Sequence, residues 1–260
     1  MERKKKTITI TITIKLFCIV SFICIGVREI RTNNKFTRKN LNKSREIIME
    51  EKTPKEKERF EVYKEYTVKE ELKPWKLTGI SDEQINDHWK LYQGYVKQVN
   101  MLNLELKKMA LAGKVGTLDY ADRRRRYGFE YNGMVLHEYY FGNLKSGPKV
   151  LEGLLDGPLK KAIVNTWGSF DAWKEDFIAT GKTRGIGWAI LYQDPQNGRL
   201  TNNFIAEHQN GPIAGFKPLL VMDVWEHAYM VDHNAGGRGA YIDAFLQNID
   251  WQVVESRFTS

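Results

Sequence analysis

Asp223 and His227 stand four residues apart in the string Asp223-Val224-Trp225-Glu226-His227-Ala228-Tyr229. That spacing lets a carboxylate oxygen and an imidazole nitrogen close on one metal ion. A hard anionic oxygen beside a borderline nitrogen suits iron or manganese better than the thiolate-rich sets of structural zinc. His88 and His137 could complete a set of three imidazoles and one carboxylate, drawn from both halves of the chain. Any one of the five histidines is better read alone as an ordinary core or surface residue; the case rests on the four residues together.

The elements that must carry these residues follow from local pattern. Ser81 is a helix cap with Gln84 at the capping-box position, and Ile85, Trp89, Tyr92, Val96 and Val99 then recur at helical spacing. This predicts a first helix to about Ala112, carrying His88. Gly113 and Gly116 mark a turn, and a second helix from Leu118 to Phe141, closed by Gly142 and Asn143, carries His137. Two long helices with a short connection make an antiparallel hairpin. Ser169 opens a further helix through Trp173 and Phe177 to Gly181, and the spacing of Trp167, Phe170 and Trp173 reads as packing.

After Gly185 the period changes. Trp188 to Gln193 and Leu200 to Ala206 read as strands around Asp194-Pro195-Gln196-Asn197-Gly198, and Leu219 to Met222 is a third strand that delivers Asp223. Helices at Tyr241 to Asn248 and Trp251 to Arg257 close the chain. The fold class is α+β: an N-terminal α-hairpin domain (78–146) and a C-terminal α/β domain (147–260) with a three-stranded antiparallel sheet.

Charge is unevenly placed. Residues 1 to 50 hold 12 Lys/Arg and 4 Asp/Glu of the chain's 40 and 32, so the remaining 28 of each sign cancel. The formal net charge of +8 belongs to the leader, which argues against nucleic-acid binding by the folded part. Arg3 to Lys6 precede an apolar or threonine-rich run from Thr7 to Val27, broken by Lys15. Three readings of residues 1–48 stand: an export signal, a membrane anchor through residues 7–27, or an untranslated stretch before a start at Met49, which would make the product cytoplasmic. Cys18 and Cys24 both lie in this run, so the domain has no disulfide framework or zinc knuckle. Residues 49–77 read as a polar linker rich in Lys and Glu.

The Asp223 to Tyr229 string resembles the C-terminal signature of the iron/manganese superoxide dismutases. Asn132-Gly133-Met134-Val135-Leu136-His137-Glu138-Tyr139-Tyr140-Phe141-Gly142-Asn143-Leu144 looks like that family's second-ligand helix, and Gly185-Ile186-Gly187-Trp188 like its glycine-flanked tryptophan. The resemblance covers residues 75 to 258. It implies disproportionation of superoxide to dioxygen and hydrogen peroxide at one iron or manganese ion per subunit, held by His88, His137, Asp223 and His227. It also implies a homodimer or homotetramer in which Glu226 reaches the partner's copy of His227 and Trp225 walls the cavity.

Other roles follow from the same resemblance. Tyr95 would guard the substrate funnel, seven residues after His88 where the family has eight. Seven residues return to one helical face, whereas eight require an extra residue bulged out; this predicts a regular helix with His88 and Tyr95 on the cavity side. A one-residue shift would put Asp87 in the ligand position instead. His208 takes the place of a residue hydrogen-bonded near the metal, with Gly133 leaving room for it, or else is a surface residue at a strand end. Arg238 attracts the anionic substrate or forms an exposed salt bridge. Leu91 and Tyr92 replace gate histidines and Met230 replaces a tyrosine, which reads as a repacked dimer contact. His233 reads as structural, and Arg123 to Arg126 as a solvated face. Two rivals remain at this level: a silent member of the fold, which predicts lost ligands, and a non-haem iron oxygenase, which keeps two histidines and one carboxylate.

Overall fold

The first long helix, α1 (Asp82–Leu111), begins where the Ser81 hydroxyl accepts the backbone N–H of Gln84 at 3.0 Å. Such a cap is worth about 1 kcal/mol. Ile85, His88, Trp89, Tyr92, Val96 and Val99 form its buried stripe. The helix is regular throughout, with no bulge between His88 and Tyr95. Gly113 and Gly116, at φ +66° and +85°, turn the chain into α2 (Leu118–Gly142), which Thr117 caps and which packs along α1.

The computed structural model describes residues 64–147 and 157–259. The leader, the apolar run with Cys18 and Cys24, and Met49 lie outside the described residues. Among those described, no helix is long and apolar enough to cross a membrane. The polar stretch begins to pack earlier than its composition suggests. The Tyr66 backbone N–H donates to Asn100 Oδ1 at 2.9 Å, the Lys69 N–H donates to the Tyr92 hydroxyl at 3.1 Å, and Val68 and Leu72 lie against the core. Residues 64–77 are therefore a strap over the helical hairpin.

Past residue 157 come α3 (Pro158–Trp167) and α4 (Phe170–Gly181). Helix α3 has its punctuation, with proline in the first turn and a left-handed Gly168 at its end, but only Leu159 and Ile163 are buried. So short an apolar stripe gives the periodic pattern little to register, and no helix is expected there from the sequence. Trp173 is fully buried in α4, and its ring packs against Phe170, Phe177 and Trp251.

Strands β1 (Gly187–Gln193), β2 (Leu200–Ala206) and β3 (Lys217–Asp223) form an antiparallel sheet in the order β2-β1-β3. Every residue of β1 is buried, which is why it reads as a continuous apolar run. Helix α4 covers β1 and β2, while α2 packs on β3. The register pairs Trp188 with Asp223, placing both side chains on one face at the end of the sheet. Gly187 allows this. A Cβ there would sit 2.0 Å from the Ile205 carbonyl oxygen. Beyond β3, a 3₁₀ turn (Glu226–Ala228) and the short α5 (Met230–His233) lead into α6 (Arg238–Gln247) and α7 (Trp251–Arg257).

Gly187→Ala is expected to destabilise the fold by about 2–3 kcal/mol, because backbone rather than a flexible side chain must move. Gly198→Ala, at φ +71° with no close contact, should cost only about 1 kcal/mol. Urea denaturation midpoints of the two variants check the order.

Candidate metal centre

Three elements converge on one carboxylate. His88 comes from α1, His137 from α2, and His227 from the 3₁₀ turn four residues beyond Asp223 at the end of β3. Asp223 Oδ2 lies 3.0 Å from His88 Nε2, 3.1 Å from His227 Nε2 and 3.7 Å from His137 Nε2. One donor atom from each of the four residues lies within 4.8 Å of all the others. The second carboxylate oxygen, Oδ1, accepts the Trp225 backbone N–H at 2.8 Å, which fixes the plane of the group. Asp87, the alternative first ligand, points outward and pairs with Lys90 at 2.7 Å.

Burial opposes ionisation of Asp223, yet the charge and hydrogen bonds of His227 and His88 outweigh it and hold the carboxyl well below the usual carboxylate range. Burial acts the other way on the bases. It lowers His88 despite the neighbouring Asp223, and lowers His137 further with the added repulsion of His88. An ionised carboxylate beside the neutral imidazoles of His88 and His137 is the protonation state that metal ligands require.

His137 supplies the clearest test of fit. Its Nδ1–H donates to the Gly133 carbonyl at 2.6 Å, so Nε2 carries a bare lone pair. That nitrogen is buried with no hydrogen-bond partner, a situation that costs about 1–3 kcal/mol when nothing satisfies it. A metal cation among the four donors would satisfy it, so the residues fit the ion that the resemblance implies.

Comparison with known proteins agrees with this geometry. Residues 155–257 match the model of the iron/manganese superoxide dismutase C-terminal domain. An iron superoxide dismutase of Cupriavidus metallidurans is 39% identical over 191 residues, covering 72% of this chain and 92% of the relative. One of Aquifex aeolicus is 40% identical over 195 residues, covering 73% and 89%. A manganese superoxide dismutase of Haloferax volcanii is 31% identical over 169 residues, covering 64% and 80%. The chain belongs to the iron/manganese superoxide dismutase family.

Around the four donors of this family member lies a second layer of aromatic and hydrogen-bonding groups. His208 is fully buried, so the surface reading of it is wrong. Trp188 donates its indole N–H to His208 Nδ1 at 3.0 Å, and His208 Nε2 lies 2.7 Å from the Tyr95 hydroxyl. An indole can only donate, so Nδ1 must accept. Burial lowers the His208 pKa to about 4, so the ring is neutral and its one proton sits on Nε2, donating to the Tyr95 oxygen. The Tyr95 hydroxyl proton thereby stays available to a molecule in the cavity. Burial also raises the Tyr95 pKa, which keeps that proton on the phenol.

Gly133 does leave room, but for a different group than expected. A Cβ there would meet the Tyr95 ring at 2.6 Å, so the glycine admits Tyr95, and Tyr95 in turn reaches His208. The Trp225 ring stacks between His208 at 5.0 Å and His227 at 5.5 Å, walling one side. Tyr241 donates to the Asp223 carbonyl at 2.7 Å and accepts from Tyr140 at 3.2 Å, holding the end of β3.

Arg238 donates to the carbonyls of Thr183 at 2.9 Å and Gly185 at 2.7 Å and lies over the Tyr229 ring. It forms no salt bridge among the described residues. Glu226 is exposed, and its side chain makes no hydrogen bond or ion pair within the described chain. Leu91 and Met230 are exposed, but Tyr92 is fully buried and its hydroxyl donates to Glu138, so Tyr92 has no place on an outer contact. His233 Nε2 lies 2.9 Å from the Gly79 carbonyl, a structural tie.

Gln84 is the residue that sequence pattern misassigns. Instead of returning to Ser81, its amide donates to the His227 carbonyl at 2.7 Å and accepts the Val231 N–H at 2.9 Å. Asp232 takes the Ser81 N–H instead, at 2.7 Å. A buried glutamine thus fixes the His227 turn to α1. Gln84→Leu should leave two part-buried backbone groups without their partner, lowering stability by about 1 kcal/mol and loosening metal retention. Chelator challenge alongside thermal denaturation measures both. For His208, nitrogen-15 NMR of the metal-free protein should show a protonated Nε2 and a bare Nδ1.

Proposed function

We propose that this chain is a superoxide dismutase and that His88, His137, Asp223 and His227 are its metal ligands. The observation that carries the reading is the convergence of three imidazole nitrogens on one buried, ionised carboxylate, in a chain whose relatives bear that name. A silent member of the family would lack donors; here each position holds one. Iron or manganese held by these four residues would supply a redox couple able to hold one electron between the superoxide that is oxidised and the one that is reduced. Two superoxide anions and two protons then become dioxygen and hydrogen peroxide.

The chain's own residues govern access and protons. Asp223 supplies a single negative charge, so a divalent or trivalent ion held by it and the three imidazoles would stay positive and would favour an anion. Trp188, Trp225 and Phe141 line the donors with apolar surface that limits water, strengthening the electrostatics inside. Half-buried Tyr95 stands at the mouth and offers its hydroxyl proton, oriented by His208 Nε2–H. Arg238 supplies a cation committed to carbonyls rather than to a carboxylate, so its charge is not cancelled locally. Exposed Leu91, Met230 and Val231 together with the unpaired Glu226 suit a homodimer in which Glu226 meets the partner copy of the His227 turn.

Superoxide removal by the chain from Met49 onward, loaded separately with iron and with manganese, tests the reading. Activity with at least one metal is expected, falling by three orders of magnitude or more, about 4 kcal/mol, in His137→Ala. No activity with either metal, in folded protein holding one ion per chain, would contradict it. Removing the metal from the parent should lower its melting temperature, because the ion binds only the folded donor set. Light scattering should give twice the chain mass or a higher even multiple.

A further inference from the structure

The four consecutive arginines of α2 do not share one environment. Arg124 donates to the Tyr120 hydroxyl at 2.7 Å, and Arg125 pairs with Asp122 on the exposed side. Arg126 is held differently. Its Nε lies 2.6 Å from Oε1 of Glu130, whose side chain is only 5% exposed while that of Arg126 is 57% exposed. The Arg126 guanidinium lies over the Phe129 ring, 4.2 Å from its centroid. Phe129 in turn meets His208 edge-on at 4.5 Å and lies 6.1 Å from Tyr95. A buried carboxylate and an aromatic face thus clamp one cation onto the ring that backs the tyrosine at the mouth.

We propose that Arg126 is an electrostatic guide for the anionic substrate, fixed at the mouth of the site by Glu130 and Phe129 and acting in addition to Arg238. This rests on the reading that the site takes superoxide. With the carboxylate inside and the guanidinium outside, the pair presents its positive end to solvent, where it can raise the local concentration of a small anion. Glu130 offsets part of the guanidinium's charge, so the effect on the affinity of a small anion is modest, about threefold, and is screened by salt.

The test uses the iron-loaded full chain and two readouts: azide affinity by optical titration, and kcat/KM for superoxide, each at about 0.01 M and about 0.5 M ionic strength. In Arg126→Ala the azide dissociation constant should rise about threefold at low salt and match the parent at high salt, with kcat/KM falling in parallel. Arg126→Lys keeps the charge and should stay near the parent. Arg124→Ala, about 200° round the helix, should equal the parent. Unchanged azide affinity in Arg126→Ala at low salt would overturn the proposal. So would an Arg126→Lys variant as weak as Arg126→Ala, since that marks a packing role. If the parent removes no superoxide while azide affinity still follows the charge at position 126, the functional reading falls and the anion guide stands.

Discussion

A carboxylate with no access to water organises this molecule. Asp223 is fully buried and ionised, and its compensation comes from a backbone N–H on one oxygen and the His88 and His227 imidazoles at the other. Removing one partner from such a group is far more costly than the pair is worth in net stability. The helical hairpin and the sheet must therefore meet at this point. Helix α1 brings His88 and the Gln84 amide, α2 brings His137, and the β1–β3 register brings Asp223 beside Trp188.

Around that centre the hydrogen bonds have a fixed direction. Trp188 and Tyr241 can only donate to their acceptors, and those two constraints set the tautomer of His208 and the polarity of the Tyr140–Tyr241 pair. The Gly133 carbonyl sets the tautomer of His137. Each outer group thus decides which inner atom carries a lone pair or a proton, which is how surrounding residues tune a metal site without touching the ion. Arg238, pinned by carbonyls, extends the same logic outward with its charge uncancelled, while Arg126 is pinned by Glu130 and Phe129 with its guanidinium on the outer side.

Much of the frame is legible in the sequence because its signals are local. Ser81, Ser169 and the glycines at 113 and 116 mark element ends within a residue or two, and the continuous apolar run of β1 reflects burial on both faces. Helix α3 lacks a long stripe and gives no such signal. Among site residues, the spacing of Asp223 and His227 is readable directly, whereas grouping His88 and His137 with them depends on the resemblance, because they sit on separate helices. The same limit explains the misread residues. Gln84 occupies a capping position by spacing, yet its partners are 143 and 147 residues away. Gly133 and Tyr95, or Arg126 and Phe129 with His208, meet only through packing of α1, α2 and the segment after β2. The strap at 64–77 is polar in composition and anchored by a few contacts, so it resembles a linker until its partners on the hairpin are known.

The central claim, that one ion sits among His88, His137, Asp223 and His227, is tested most directly by anomalous diffraction from crystals of the iron- or manganese-loaded protein. The account predicts a single strong peak per chain, bounded by the three Nε2 atoms and the Asp223 carboxylate. A peak elsewhere, or an empty donor set in protein that carries one equivalent of metal, would contradict it.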